Sequence, residues 1–124
     1  MCLCGLALLA LGVIVGAFGA HALKPVLLEN QTLDTFQTGM NYWFYHALGL
    51  LGLSAWRYKQ DAPLLAWAGV SILVGIFFFC GSLLILSVSG IKWLGAVAPI
   101  GGLGFIVGWL LAFWTVWRNF EKNQ

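Results

Sequence analysis

Apolar residues fall into four long runs separated by short polar breaks. A bilayer core about 30 Å thick is crossed by roughly 20 apolar residues in a helix. The first run, from about Cys2 to Leu23, carries no charge. The second, from Tyr42 to Trp56 or Tyr58, is shorter and is predicted to begin inside a longer helix. The third, Leu64 to Val88, is apolar almost all round, and the fourth, Trp93 to Trp117, stops at Arg118. The pattern predicts an all-α fold: a four-helix transmembrane bundle, with residues 1–124 forming one integral membrane domain.

Between the first two runs lies the only sizeable polar stretch. Pro25 suits a first helical turn, where its missing N–H costs nothing. Beyond it, Leu33, Phe36 and Met40 recur at helical spacing while Glu29, Gln31, Asp34 and Thr35 are polar. This spacing predicts a short interfacial amphipathic helix leading into the second span; the alternative is a solvated loop with a few apolar anchors. Ala20-His21-Ala22 mimics a signal-peptide cleavage site, but Met1–Gly5 has no basic residue and the apolar run exceeds that of a typical signal sequence. The first span is expected to be retained.

Composition agrees with the pattern. Hydrophobic residues make up 61% and charged residues 8% of the chain, and mean hydropathy is +0.93. Soluble domains carry about 25% charge, and disordered chains are charged and poor in aromatics. Both classes are excluded. All ten charged residues lie outside the predicted spans, Lys59, Asp61 and Lys122 among them. A net charge of +2 makes no basic track for nucleic acid. Four spans place both termini and the Arg57–Pro63 connection on one side. That side holds Arg57, Lys59, Arg118 and Lys122, against Lys24 and Lys92 opposite, so the positive-inside rule favours cytoplasmic termini.

Small residues at three- and four-residue spacing let membrane helices approach closely. Gly12, Gly16 and Gly19 mark such a stripe on the first span, and Gly101, Gly104 and Gly108 mark one on the fourth. They serve packing within the bundle or, alternatively, a dimer face. Pro99 is expected to kink the fourth helix, with Gly101 and Gly102 letting a neighbour fit the bend. Trp43, Trp56, Trp93 and Trp117 stand near span ends, where the ring suits the headgroup zone.

Candidate chemistry is sparse. Charged groups at depth mark ion and proton pathways, and no predicted span contains one, so an autonomous secondary transporter is disfavoured. Cys2-x-Cys4 lacks the further ligands of a metal site, and Cys80 lies deep in an apolar run beside three phenylalanines, where it acts as a small hydrophobe. Pro99-Ile100-Gly101-Gly102 is not a phosphate loop, because no Lys-Ser/Thr follows. No catalytic constellation, metal site or cofactor is expected. His21, closing the first span, and His46, near the start of the second, are the best lead. Antiparallel helices are expected to bring them to one face at comparable depth. Tyr42 lies one turn before His46, an Asp34–Thr38–Asn41–Tyr45 stripe runs alongside, and Ser82 and Lys92 belong to the same end of the bundle. Such a pair either ties two helices together or lines an outer-leaflet pocket for a quinone, a lipid or haem, since histidine is a common haem ligand.

Gly16-Ala17-Phe18-Gly19-Ala20-His21, Tyr42 to Leu48, Gly81-Ser82-Leu83, Pro99-Ile100-Gly101-Gly102 and Gly108-Trp109 together resemble the YgdD-like family. The resemblance runs over nearly the whole chain in the expected order. Cys80 stands where that family often has Ser, and Leu84 where it often has Tyr. The resemblance implies a four-helix protein of the bacterial inner membrane, with mitochondrial relatives in eukaryotes, and a domain of unknown function. The expected role is non-enzymatic: a structural or accessory protein among membrane lipids that packs with itself as a homo-oligomer or with a larger membrane complex. The alternative is a binding protein using the His21–His46 pocket.

Overall fold

The computed structural model describes residues 1–59 and 62–122. Asp61 lies outside the described residues, and so do the side chains of Lys59 and Lys122. The described elements are all helical. In chain order they are α1 (Cys2–Ala20), α2 (Lys24–Glu29), α3 (Leu33–Lys59), α4 (Pro63–Gly75), a π-helical turn (Ile76–Cys80), α5 (Gly81–Ser89), a 3-10 turn (Lys92–Ala96) and α6 (Ala98–Lys122). Three stretches are long and apolar enough to cross a membrane: Cys2–Ala20, Pro63–Ser89 and Lys92–Glu121. α3 has 27 residues, but Asp34, Gln37, Thr38 and Asn41 make its first turns polar.

Local chemistry explains the breaks. α1 ends when His21 leaves helical geometry, and the Leu23 N–H returns 2.8 Å to the Phe18 carbonyl. Pro25 sits in the first turn of α2, whose Leu27 is fully buried. Gln31 then takes φ 56°, and the reversal is closed by the Thr32 N–H on the Leu27 carbonyl at 2.9 Å. Pro63 opens α4, and Gly90 closes α5 in the left-handed conformation, φ 70°, where an L side chain would be strained. Pro99 does not kink the fourth helix. α6 begins at Ala98, so the ring occupies its first turn, where no intrahelical N–H is needed. The irregular turn lies between α4 and α5, at Ile76–Cys80.

Glycines set how the helices meet. Gly5, Gly12 and Gly19 are the buried residues of α1. The Phe36 ring covers Gly19, Phe44 and Trp43 cover Gly12, and Leu51 covers Gly5. α1 and α3 are therefore antiparallel along the full length of α1. Phe36 and Met40, expected on an interfacial face, instead form a core with Leu27 and are backed by Val15, Leu23 and Phe44. On the other side of α3 a larger core joins Leu50 and Leu53 to Leu65, Ile72, Ile76 and Phe105. There α6 crosses close to α4. A Cβ on Gly108 would stand 3.0 Å from the Ala68 carbonyl and one on Gly104 3.1 Å from the Gly75 nitrogen, while one on Gly101 would collide with the Phe79 backbone. Overpacking such a contact costs about 1–3 kcal/mol. Gly102 is different, with only Phe79 Cδ2 at 3.9 Å; its missing side chain does not enable the approach.

Candidate functional site

Side chains from three elements form an aromatic cluster around His46. Tyr42 and His46 project from one face of α3, Phe79 from the π turn, and Phe105 and Trp109 from α6. The imidazole stacks on Phe105 with centroids 3.5 Å apart and planes 15° apart. Tyr42 lies 5.8 Å away on a near-parallel plane and 4.7 Å from Phe79. Gly49, one turn on, admits the Trp109 ring. His46 is only 7% exposed, and its Nδ1 lies 2.7 Å from the Tyr42 carbonyl oxygen. A carbonyl only accepts, so Nδ1 carries a proton and donates to it.

The pocket expected between His21 and His46 does not form. His21 is the exposed C-cap of α1. Because Gly19 faces Phe36, His46 lies ten residues further along α3, ~15 Å deeper at 1.5 Å per residue. The expectation of comparable depth took Tyr42 as the point where the second span enters the membrane, whereas α3 begins at Leu33 and already packs on α1 at Phe36. One haem iron could not reach both imidazoles.

The other polar candidates also separate. Asn41 is exposed on a different arc of α3 and lines a groove of about 250 Å³ with Gly16, Gly19, Gln37 and Phe44. Ser82 borders an apolar cavity of about 440 Å³ lined by Leu8, Trp43, Phe77, Phe78 and Ile85; its hydroxyl donates to the Phe79 carbonyl at 3.0 Å. Lys92 is exposed on the 3-10 turn. Trp43 is not an interfacial anchor: its indole N–H donates to the Leu8 carbonyl at 2.7 Å, joining α3 to α1. The Trp56 Nε1 is buried without a partner among the described residues. Among the described residues no three His, Cys, Asp or Glu side chains converge as metal ligands would.

A polar clamp that sequence reading missed lies at the far end of α5. Thr32 donates to the Ser87 carbonyl at 2.7 Å, and the Asn30 amide donates to the carbonyls of Ser87 and Val88 at 3.2 and 3.1 Å. The last carbonyls of a helix have no intrahelical partner; here the α2–α3 reversal supplies one. Turn-forming Asn30 and the Gly90 C-cap were the available signals, but neither names its partner. The same economy runs through the chain. Every serine, and every threonine but Thr35, donates to a main-chain carbonyl.

Long apolar helices, glycine-mediated crossings and internally satisfied hydroxyls define an all-helical integral membrane protein. The chain belongs to the DUF423 family, described as "Protein of unknown function", whose model matches residues 15–102. It is 42% identical over 106 residues to the UPF0382 membrane protein YwdK of Bacillus subtilis, covering 85% of this chain and 84% of the relative. It is also 42% identical over 96 residues to the UPF0382 membrane protein SH2409 of Staphylococcus haemolyticus, covering 77% of each. The UPF0382 inner membrane protein YgdD of Escherichia coli K12 is 34% identical over 99 residues, 80% of this chain and 75% of that protein. No solved structure matches. The protein resides in the inner (cytoplasmic) membrane, in keeping with the E. coli relative and the three apolar spans.

Proposed function

We propose that this chain is a four-span, non-enzymatic structural or accessory protein that packs with itself or within a larger membrane complex. The observation that carries the reading is the commitment of its hydroxyls to its own backbone. Thr32 and Ser71 bond across to other helices, Ser87 and Thr115 bond back within their own, and little polar chemistry is left for a substrate. Meanwhile α1 buries only its glycines and turns Leu3, Leu6, Val13, Ile14 and Phe18 outward, a surface for lipid or for a protein neighbour. α3 acts as the fourth span: its 27 residues reach ~40 Å at 1.5 Å each, and it runs antiparallel to α1 along that helix's whole length. Arg57, Lys59, Arg118 and Lys122 outnumber Lys24 and Lys92, which puts the termini in the cytoplasm. Native mass spectrometry of protein extracted in its own lipid tests the reading. Whole multiples of 13.5 kDa, or added polypeptide mass, are expected. A bound small molecule that disappears in His46→Ala would overturn it.

A further inference from the structure

α3 has a third face. Toward α1 it presents Phe36, Met40 and Phe44; toward α5 and α6 it presents Gly39, Tyr42, His46 and Gly49. Between them Thr38, Asn41, Tyr45, Leu48, Gly52 and Ala55 are all exposed. Their spacing of three, four, three, four, three is the seam of a left-handed helix pair crossing at about 20°. Thr38 to Ala55 covers ~26 Å at 1.5 Å per residue, close to the ~30 Å hydrocarbon core.

The two halves of the seam differ in chemistry. At one end Gly52 and Ala55 are small, and a Cβ on Gly52 would meet nothing within 4 Å, so another backbone can come close. Toward the other end, no group among the described residues hydrogen-bonds the Asn41 carboxamide or the Tyr45 hydroxyl. Lipid tails offer neither donor nor acceptor, and a polar group without a partner in hydrocarbon is costly. The excess of basic residues on one side gives every copy the same orientation. A two-fold axis along the membrane normal therefore sets two α3 helices parallel, with each residue at the depth of its mate. A carboxamide both donates and accepts, so Asn41 satisfies Asn41 of a second copy with no further device. A single polar residue in such a seam also fixes register. A foreign helix would need a matching group at that depth, which symmetry supplies without coincidence.

We propose that the protein forms a parallel homodimer through this face of α3, with Asn41 paired across the two-fold axis and Gly52 at the close approach. The proposal rests on the reading of the chain as a packing protein and names its partner. The test places the photo-crosslinker p-benzoylphenylalanine at Tyr45 or Leu48 on the seam, and at Phe113 on the exposed face of α6 as a control, in intact membranes. Seam positions are expected to give a product of twice 13.5 kDa, and Phe113 none. Gly52→Leu introduces bulk where the monomer has open space, so it is expected to leave thermal unfolding of the monomer unchanged and cut the product at least about tenfold. Asn41→Leu is expected to reduce it several-fold, as for loss of interhelical hydrogen bonds. Products joining the seam to another polypeptide would overturn the dimer and leave the accessory reading standing. Equal dimer yield from Phe113, or undiminished yield in Gly52→Leu, would overturn the seam alone. Absence of any protein product, with only bare monomers in native mass spectra, would overturn both.

Discussion

His46 shows how one residue type is used in two ways in the same chain. Its ring fills the space between Tyr42 and Phe105 and is tied to its own helix by Nδ1, whereas His21 caps α1 in the open. Removing a buried ring leaves a cavity that the neighbours refill only partly, and large-to-small changes of this kind cost about 2–5 kcal/mol. His46→Ala is accordingly expected to lose about 2–4 kcal/mol in SDS-titrated unfolding followed by tryptophan fluorescence. His21→Ala is expected to stay within about 0.5 kcal/mol, as exposed substitutions do. Equal effects from the two variants would contradict the packing role given to His46. Glycines are similarly unequal. Gly101 and Gly108 stand against backbone, while a side chain on Gly81 would meet nothing within 4 Å.

Among the elements, the link between the α2–α3 reversal and the end of α5 is the least local. Asn30 and Thr32 are 57 and 55 residues from Ser87, yet they complete the hydrogen bonding of its carbonyl. A lone change such as Thr32→Val leaves Asn30 on that carbonyl and is expected to cost about 1 kcal/mol. The double variant Asn30→Ala, Thr32→Val strands both carbonyls and is expected to cost about 2–4 kcal/mol. The Gly90 amide, now bonded to the Leu86 carbonyl at 2.8 Å, reports on the same turn. Its hydrogen exchange should quicken in the double variant before that of α4 does. Unchanged exchange there would mean the clamp does not hold α5. The π turn between α4 and α5 belongs to this scale as well. π turns are rare and often mark functional positions, and here Phe79 meets both Tyr42 and the backbone at Gly101.

At the level of the whole molecule, α3 is the hub. α1 and the α4–α5–α6 group pack on separate sides of it, in two distinct cores, and its third side is open. Whether α3 crosses the bilayer decides the parity of the topology. Four crossings put both termini on one side, and three put them on opposite sides. Green fluorescent protein fused to either end is expected to fluoresce, and alkaline phosphatase fused to either end to be inactive. Opposite results at the two ends would remove α3 from the membrane and, with it, the depth argument for Asn41.

Much of this was readable along the chain. Apolar length and the lack of charge dictate membrane helices, because a bilayer core accepts little else. The same apolar pattern placed the Tyr42–Tyr58 run inside a longer helix, as α3 is. Helical periodicity also grouped Tyr42 with His46 correctly, since residues four apart share a face whatever the surroundings. Periodicity carries no information on how far one helix slides along another. That register is set by the Phe36 ring over Gly19 and by main-chain contact at Gly101, which involve residues far apart in sequence. It separates His21 from His46 and brings Thr32 to Ser87. Likewise Pro99 reads as a kink or as a helix start with equal ease, and only the fold of the 3-10 turn before Ala98 makes it a start. Elements and their environment follow from local composition, whereas depth, partners and the free face of α3 follow from packing between helices.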